Sequence, residues 1–274
     1  MSFSRWLSLF LYYHATWPYR RWRNWRAACR HALPLVILFY HRVADDRTTA
    51  WTMPSRLFAR QICWLQRHFE LISLEEVQRR IRDGDNSRPS VSITFDDGYA
   101  DNCLEAIPLL IAQRIPCTYF VTLDNVLRGE PFPHDLKLGR RLAPNSLDQL
   151  RAMAASGIEI GAHGRHHLDF GRIKDPAQLE DELVIAGREL ADHLGQAVRY
   201  LAFPFGLRSN FNPEALLLAR RAGYLGVCSA YGGYNFPGTS WFHLRRFHAN
   251  NHMIHLKNRA TIDPRKAGRR FYEF

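Results

Sequence analysis

The sequence has few of the features that mark several large protein classes. Its five cysteines are odd in number and form no Cys-x-x-Cys pair, so neither a thiolate zinc knuckle nor a dense disulfide framework is supported. No apolar run reaches the roughly 18–20 residues that a membrane-spanning helix requires. The apolar stretch 6–13 is short and no Ala-x-Ala site follows it, so we expect no cleaved signal peptide. These absences fit a reducing compartment best.

Acidic residues are scarce relative to basic ones. Lys and Arg number 37 against 26 Asp and Glu, which gives a formal net charge of +11. Such an excess favours an anionic partner such as phospholipid, nucleic acid or an acidic glycan, although many basic proteins bind none of these. No nucleic-acid-binding motif accompanies the charge, so we expect no nucleic-acid partner. With 274 residues, 46% of them hydrophobic, the chain can bury a large core.

The first 31 residues differ in composition from the rest, because tryptophans alternate there with arginines, as in Trp-Arg-Asn-Trp-Arg at 22–26. Indole rings at headgroup depth and guanidinium groups on anionic lipid suit a membrane interface. We therefore expect a cytoplasmic protein whose residues 1–31 lie against the inner face of the membrane. The alternative is a helix packed on the domain with its arginines in solvent. Residues 32–256 are expected to form one domain, and the basic tail 257–274 to be peripheral.

Strands and helices alternate from residue 34 onwards. Residues 35–40 are a continuous apolar run of strand length, as expected for a strand buried on both faces, and residues 91–95 and 117–121 are predicted to be further strands. Apolar spacing and capping residues predict helices over 58–69, 73–81, 146–157, 175–195 and 212–223. Because no glycine-rich dinucleotide fingerprint is present, this α/β pattern predicts a parallel barrel or a doubly wound sheet.

Two adjacent carboxylates, Asp96 and Asp97, close the predicted strand 91–95 in the segment Thr-Phe-Asp-Asp-Gly. Active sites of parallel α/β folds collect at such strand ends. The two side chains cannot both be buried and ionised without a cation nearby, which favours a metal site. The alternative is an Asp-Asp-Gly turn that caps a helix.

Two histidines, His163 and His167, stand four residues apart just after a short predicted strand at 158–160. Neutral imidazoles are common zinc ligands, and two of them with a carboxylate make a catalytic site with one open position. The helical zinc-protease motif His-Glu-x-x-His is absent, and a surface histidine cluster is the alternative. A further predicted strand, 200–203, leads into the turn Pro-Phe-Gly at 204–206, which is unspecific by itself.

In combination, the three motifs resemble those of the polysaccharide deacetylases of carbohydrate esterase family 4, the NodB-homology domain. Residues 94–98 match the Thr-Phe-Asp-Asp-Gly motif of that family, residues 157–167 are similar to its His-[Ser/Thr]-x-x-His segment, and residues 203–206 are similar to its Pro-aromatic-Gly turn. The resemblance covers residues 34–250. It implies a distorted (β/α)7 barrel of the NodB type and hydrolysis of an acetyl group on a sugar.

The resemblance also implies roles for individual residues. Asp97, His163 and His167 are expected to hold a divalent metal, zinc above all, and Asp96 to be the general base. A metal-bound carboxylate is tied to the charge of the ion, whereas its neighbour is free to take a proton. The metal would polarise the acetyl carbonyl and lower the pKa of its bound water. The residues expected to contact substrate or oxyanion, the latter through the Phe205 backbone N–H, are Phe205, Tyr99, Pro204 and Arg246.

The general acid departs from the common family pattern. A late Leu-x-His segment normally supplies it, and none is clear after residue 206. Residues 39–43, Phe-Tyr-His-Arg-Val, resemble instead an early Tyr-His segment of exopolysaccharide-modifying branches, including poly-N-acetylglucosamine deacetylases. His41 is therefore the expected acid, and a hydrogen-bonded structural histidine is the alternative.

Two further departures concern the base and the metal. Ala202 occupies the usual position of an arginine, and Arg246 is proposed to orient Asp96 in its place, a surface arginine being the alternative. In the histidine segment, Gly164 replaces the usual hydroxyl residue. His166 competes with His167 as a ligand, but the family pattern favours His167.

We therefore expect a metal-dependent hydrolase that removes N-acetyl groups from N-acetylhexosamine units of a polysaccharide or lipid-linked glycan. One alternative is removal of formyl from a lipid-linked aminosugar. Another is a non-catalytic member that binds glycan or membrane, although such a module needs neither a full ligand set nor a spare base. The expected partners are an N-acetylated glycan or glycolipid and an anionic membrane surface.

Overall fold

A large parallel sheet frames the molecule in this computed structural model, which describes residues 2–267. The strands are β1 (Val36–Tyr40), β2 (Arg42–Val43), β3 (Thr52–Met53), β4 (Glu70–Leu71), β5 (Ser90–Phe95), β6 (Cys117–Val121), β7 (Glu159–Ala162), β8 (Tyr200–Ala202), β9 (Gly226–Ser229), β10 (His243–Arg245) and β11 (Phe247–His248). The order across the large sheet is β10-β9-β8-β7-β6-β5-β1-β11, with β4 paired to β5, while β2 and β3 form a separate pair.

The large sheet curls into a nearly closed barrel because its two outermost strands follow each other in the chain. β10 pairs with β9 and β11 pairs with β1, both in parallel, and only Arg246 lies between β10 and β11. The segment 243–248 therefore acts as one barrel strand that pairs with both edges of the sheet. Together with β1, β5, β6, β7, β8 and β9 it makes seven barrel strands, so the predicted distorted (β/α)7 barrel is confirmed.

Helices connect the strands. They are α1 (Phe3–Ala15), α2 (Trp17–Ala28), α3 (Ser55–His68), α4 (Leu74–Asp83), α5 (Ala106–Ala112), α6 (Leu123–Arg128), α7 (Pro133–Lys137), α8 (Leu147–Ala155), α9 (Pro176–Glu180), α10 (Ala186–Leu194), α11 (Pro213–Arg221), α12 (Met253–Ala260) and α13 (Pro264–Ala267). A π-helical turn at Asp181–Ile185 joins α9 to α10. Among residues 2–267, no helix combines the length and the apolar character needed to cross a bilayer.

The predicted helix ends correspond to observed caps. The Ser146 side chain and Gln149 exchange both bonds of a capping box at the start of α8. The predicted helix 175–195 is α9 and α10 with the π-helical turn between them. Asp175 caps its start, and Gly195 ends it in the left-handed conformation. Six short strands are not among those predicted from the sequence: β2, β3, β4, β9, β10 and β11.

The core has two layers, because successive strand residues face opposite sides of the sheet. In β1, Ile37 belongs to an apolar cluster that Phe120 and apolar residues of α4 share, whereas Val36 and Leu38 belong to the larger cluster that the surrounding helices complete. All five residues of β1 are buried, as its continuous apolar run predicts, and all six of β5 are buried as well, including Ser92 and Thr94.

Both ends of the described chain pack on the barrel domain. The Arg20 side chain of α2 is fully buried, and it donates hydrogen bonds to the backbone and side-chain oxygens of Asn258 at 3.0 and 2.6 Å. The boundary predicted at residue 256 falls inside α12, where Leu256, Asn258 and Ala260 are all buried. Residues 257–263 are therefore part of the packed domain rather than a peripheral tail. The remainder of the predicted tail, 268–274, lies outside the described residues.

Candidate active site

A cavity of about 590 Å³ opens at the carboxyl ends of the barrel strands. This size falls within the range of small-molecule sites. The cavity brings together six of the residues predicted from sequence, which follow four different barrel strands, β1, β5, β7 and β8: His41, Asp96, Asp97, His163, His167 and Phe205. His166 also lines it, together with apolar side chains from the loops.

Asp97, His163 and His167 form a compact cluster at the base of the cavity. His163 Nε2 lies 3.4 Å and His167 Nε2 lies 3.3 Å from the same Asp97 oxygen, Oδ1. The Nδ1 atom of His163 is 2.8 Å from the Ala202 carbonyl. Because a carbonyl only accepts, Nδ1 carries a proton, which leaves Nε2 as the atom that faces Asp97 and is available to a metal.

The cluster fits a divalent metal. Asp97 Oδ1 is buried and accepts no hydrogen bond of normal geometry within residues 2–267, so it is an orphaned carboxylate oxygen. In a tetrahedral zinc site with bonds of about 2.0–2.1 Å, neighbouring ligand atoms lie about 3.3–3.4 Å apart, as the two nitrogen–oxygen distances here do. Asp97, His163 and His167 together could hold such an ion and leave one position open.

Electrostatics keep the Asp97 carboxylate ionised. Burial raises its pKa, but the facing imidazoles of His163 and His167 outweigh burial and hold that pKa well below the ordinary value. For His163, burial lowers the pKa, and the carboxylates of Asp97 and Asp96 outweigh burial and raise it. The cluster is therefore mutually stabilised by charge, which is how buried ionisable groups avoid neutralisation.

The second carboxylate, Asp96, has a different partner. Arg246 holds it in a bidentate pair, with Nη1–Oδ1 at 2.6 Å and Nη2–Oδ2 at 2.8 Å. Arg246 is fully buried, its Nε donates to the Ser229 carbonyl, and its guanidinium lies between the rings of Phe39 and Phe120. Burial raises the pKa of Asp96, but Arg246 more than offsets it, so the pKa is lowered and the carboxylate stays ionised.

Arg246 reaches Asp96 because of the barrel closure. It is the single residue between β10 and β11, at the point where the two edges of the sheet meet. The Arg246 guanidinium therefore reaches Asp96 from the segment that closes the barrel, whereas the family pattern places an arginine just before the Pro-Phe-Gly turn. The structure places Arg246 behind the cavity wall as a partner of Asp96, not on the wall itself.

His41 follows β1 and lines the cavity beside the two aspartates. Its Nδ1 atom is buried and has no hydrogen-bond partner among the described residues. Burial lowers the pKa of His41, and the carboxylates of Asp97 and Asp96 offset only part of that shift, so the pKa stays below its ordinary value. Asn102 fixes the local backbone, since its side-chain amide donates to the His41 carbonyl at 2.7 Å. The ring is thus held near both carboxylates with a nitrogen available for proton transfer.

The loop that carries the histidines is fixed by a buried acid that the sequence analysis missed. Glu182, in the π-helical turn, accepts hydrogen bonds from the backbone N–H groups of Arg165 and His166, and its Oε1 lies 2.7 Å from His166 Nδ1. His166 is therefore engaged by Glu182, and His167 occupies the metal-ligand cluster. An extra residue in the helix is the only sequence signal for such a turn.

Gly164 in this loop explains one departure from the family motif. Its φ is +80°, and a Cβ at this position would come within 3.0 Å of Glu182 Oε2 and 3.3 Å of the Phe170 ring. Glycine alone adopts this conformation readily and leaves room for the buried acid. A serine or threonine here would be strained and would press on Glu182 and Phe170.

The Pro-Phe-Gly turn leaves one backbone donor beside the cavity without an acceptor among the described residues. Phe205 has φ +61°, its ring lies 5.0 Å from that of His167, and its N–H donates to no other group within residues 2–267. Gly206 makes the turn possible, since a Cβ there would come within 2.7 Å of Ala230. Pro204 is buried below the turn, so it supports the wall and does not line it.

Backbone strain is concentrated at this site. Seven non-glycine residues within 2–267 have positive φ, and three of them are Asp97, His167 and Phe205. A left-handed conformation costs about 1–2 kcal/mol for such residues. Strain of this kind persists where the surroundings over-determine it, which is common at functional sites.

The expectation that Tyr99 contacts substrate is not met. Tyr99 is 1% exposed, its hydroxyl donates to Asp135 at 2.8 Å, and its ring packs behind Phe132. The chain turns at Gly98, which directs Tyr99 away from the strand end and into a small separate cluster with Phe132 and Leu142. Tyr99 therefore supports the wall that Phe132 provides.

Two wall residues were missed by the sequence analysis. Trp51 lies in the loop before β3, is 46% exposed, and its ring is 4.9 Å from that of His41. His248 ends β11, with its ring 5.6 Å from that of His41, and burial lowers its pKa to about 3. Trp51 lies in a loop without periodicity, and His248 lies in a strand of only two residues. Neither position therefore shows a sequence pattern that could have predicted it.

Known proteins share both sequence and fold with this chain. YxkH of Bacillus subtilis (strain 168), assigned by name to the polysaccharide deacetylases, is 27% identical over 201 residues, covering 72% of this chain and 65% of YxkH. The poly-beta-1,6-N-acetyl-D-glucosamine N-deacetylase of Staphylococcus aureus (strain MRSA252) is 26% identical over 175 residues, covering 61% of this chain and 57% of the relative. The chain thus spans less than two thirds of the length of these relatives.

Two solved structures show the same fold. The Streptococcus pyogenes deacetylase PplD, determined in complex with acetate, superimposes with a TM-score of 0.69 at 22% identity, covering 81% of this chain and 94% of PplD. IcaB from Ammonifex degensii gives 0.68 at 23% identity, covering 84% of this chain and 97% of IcaB. The sequence profile of the family described as polysaccharide deacetylase matches residues 83–227, which include both aspartates, both ligand histidines and the Pro-Phe-Gly turn. The chain therefore belongs to the polysaccharide deacetylase family, as its motifs indicate.

Proposed function

We propose that this protein is a metal-dependent deacetylase that removes N-acetyl groups from N-acetylhexosamine units of a polysaccharide. The observation that carries the proposal is the division of labour between adjacent carboxylates. Asp97 presents an orphaned oxygen to two imidazoles, and Asp96 is held by Arg246 outside that cluster. A binding module has no need for a ligand set beside a second, separately held carboxylate.

The metal would be held by Asp97, His163 and His167, and zinc suits this donor set best. When bound, it supplies Lewis acidity toward the acetyl carbonyl and lowers the pKa of a water molecule. The residues of the chain do the rest. Asp96, kept ionised by Arg246, takes the proton of the attacking water as general base. The free N–H of Phe205 donates to the acetyl oxygen, which becomes an oxyanion when the water attacks the acetyl carbon.

Breakage of the carbon–nitrogen bond requires a proton on the departing amine. His41 is the donor in this proposal, because it lies at the cavity wall with an unpartnered nitrogen beside both carboxylates. The products are acetate and a free amino sugar. Two aromatic rings in the cavity wall, Trp51 beside His41 and Phe132 beside His167, offer flat surface on which a sugar ring can pack.

The experiment measures metal content and acetate release for the full chain with oligomers of β-1,6-linked N-acetylglucosamine. We expect about one metal ion per chain, and loss of release after chelation that the added metal restores. Asp96→Asn should retain the metal and lose about 10²–10⁴ in turnover. The matched control, Asp148→Asn, changes an exposed aspartate of α8 and should leave both quantities unchanged.

Each alternative gives a distinct result in that assay. Release of formate from N-formyl oligomers, without acetate from N-acetyl ones, would assign the deformylase reaction. Metal uptake without release of either acid would assign a non-catalytic member. Full turnover of Asp96→Asn would remove Asp96 as the base and with it the proposed division of labour.

A further inference from the structure

The N-terminal helical pair, α1 and α2, exposes a large apolar surface. Eighteen large hydrophobic side chains within residues 2–267 are exposed, and nine of them lie between residues 3 and 25. The five in α1 follow helical spacing i, i+3, i+4, i+7 and i+8, so they share one face: Phe3, Trp6, Leu7, Phe10 and Leu11. Their rings are contiguous, with Phe3–Trp6 at 6.1 Å and Trp6–Phe10 at 5.2 Å.

The second helix continues this character with larger aromatic residues. Tyr19, Trp22 and Trp25 recur at three-residue spacing and are 50, 49 and 65% exposed. We call these three side chains and the five of α1 the outer face of the helical pair. An exposed patch of this kind on a folded domain marks an interaction site.

The charge around the outer face has one sign. Arg5, Arg21, Arg26 and Arg30 are exposed, and the Arg26 guanidinium lies 4.8 Å from the Trp22 ring. No aspartate or glutamate occurs before Asp45. The surface is thus cationic and aromatic without any carboxylate of its own, and its complement is an anionic surface.

The opposite face of the helical pair is fixed to the domain. Arg20 is fully buried, donating to Asn258 and Thr261, and Tyr13 is 7% exposed. The Tyr12 hydroxyl donates to Asp263 at 2.7 Å. The two helices are therefore anchored to the domain. Trp6 and Phe10 of the outer face line a cavity shared with Met253 and Ile254 of α12, whereas Trp22 and Trp25 stay 49 and 65% exposed.

We propose that the outer face binds the surface of an anionic phospholipid bilayer, with its aromatic side chains at the depth of the headgroups. Trp, Tyr and Arg on one side of short helices are the composition of helices that lie in a membrane interface. A lipid surface needs no residue-by-residue complement, and the combination of exposed apolar side chains with neighbouring arginines and no carboxylate before Asp45 suits anionic headgroups. The binding does not depend on the proposed hydrolysis, so either can fail alone.

The test is co-sedimentation of the full chain with vesicles of phosphatidylcholine alone and of equal parts phosphatidylcholine and phosphatidylglycerol. We expect binding to the anionic vesicles that weakens as salt is raised. Arg21→Gln/Arg26→Gln should weaken it about 30-fold, since each basic residue near such a surface contributes about 1 kcal/mol. Trp22→Ser/Trp25→Ser should weaken it about tenfold or more.

A matched control removes two exposed leucines elsewhere, Leu104→Ser/Leu217→Ser, which are 73 and 55% exposed. This variant should bind vesicles as the unaltered chain does. Absence of binding to either vesicle, equal binding to both, or equal loss in the control would overturn the proposal. A dimer of the unaltered chain that the tryptophan variant converts to a monomer would overturn it in favour of a second copy on this face. Thermal unfolding of every variant checks that each is folded.

Discussion

The proposed active site and the N-terminal helical pair use the same residue types in opposite ways. Both combine aromatic rings with charged groups. In the active site each buried charge has an internal partner, as Asp96 has Arg246 and Asp97 has two imidazoles. On the outer face of the helical pair, arginines and tryptophans meet solvent. Burial of an unpaired ion costs several kcal/mol, so the charges of the active site must be paired within the chain. The solvent-exposed arginines of the helical pair carry no such cost and are available to an external partner.

Two fully buried arginines make this contrast sharper. Arg246 meets a carboxylate in a bidentate pair, which keeps Asp96 ionised. Arg20 donates to neutral oxygens of Thr16, Asn258 and Thr261. The first arginine controls the charge of a reactive group, and the second anchors a helix. Substitutions in the active site should therefore change turnover, and those in the helical pair should change docking or stability.

The largest effect that separates the two regions is expected for His41→Gln. Removal of the general acid should lower hydrolysis of the amide about 10²–10⁴-fold with metal content unchanged. An acetyl ester of a nitrophenol needs no protonation of its leaving group, so its hydrolysis should fall far less. The measurement is turnover of both substrates by the variant and the unaltered protein.

His248→Gln is the matched control for this prediction, because His248 lines the same cavity beside His41. Burial keeps the pKa of His248 near 3, so it is neutral at neutral pH and is a poor proton source. We expect a smaller loss with no preference for the activated ester. An equal or larger selective loss in His248→Gln would move the acid from His41 to His248.

A smaller effect is expected for Gly164→Ser, which restores the residue type of the family motif. Serine at φ +80° costs about 1–2 kcal/mol in backbone strain. Its Cβ would also press on Glu182 and Phe170, which adds about 1–3 kcal/mol of overpacking. Displacement of Glu182 loosens the histidine loop, so metal affinity should fall about tenfold or more. Urea unfolding and metal titration measure the two effects.

Gly129→Ser provides the comparison, since Gly129 has φ +66° and open space around its Cβ position. The free energy of unfolding of Gly129→Ser should fall only by the cost of the backbone strain, and its metal affinity should not change. Equal behaviour of the two variants would show that the contact with Glu182 does not matter. In that case the departure from the family motif would have no structural reason.

The sequence predicts the parts of this fold that depend on local patterns. Strand β1 could be predicted because it is buried on both faces and continuously apolar, and β5 and β6 because they are rich in β-branched and aromatic residues. Asp96, Asp97, His163 and His167 could be placed at one end of the barrel because parallel strands end at the same edge. Their convergence on one cavity follows from the topology.

Other features depend on details that no local pattern records. Tyr99 was assigned to the cavity because it follows the Asp-Asp-Gly motif, but the turn at Gly98 directs it into the wall. Glu182 was missed because a π-helical turn shifts it out of register with regular helix spacing. Trp51 comes from a loop whose path depends on tertiary contacts. The partner of Asp96 depends on where the barrel closes.

The smallest effect is expected at the outer face and tests the comparison directly. Trp25→Ser removes a side chain that is 65% exposed, so the free energy of unfolding should change by no more than about 0.5 kcal/mol. Acetate release from a soluble oligomer should not change either. On the inner face of the same helical pair, Tyr13→Ser removes a buried ring and should cost about 3 kcal/mol or more. Urea unfolding of both variants gives the two values. A loss for Trp25→Ser as large as that for Tyr13→Ser would mean that the outer face already packs within the chain, and the contrast between the two regions would no longer hold.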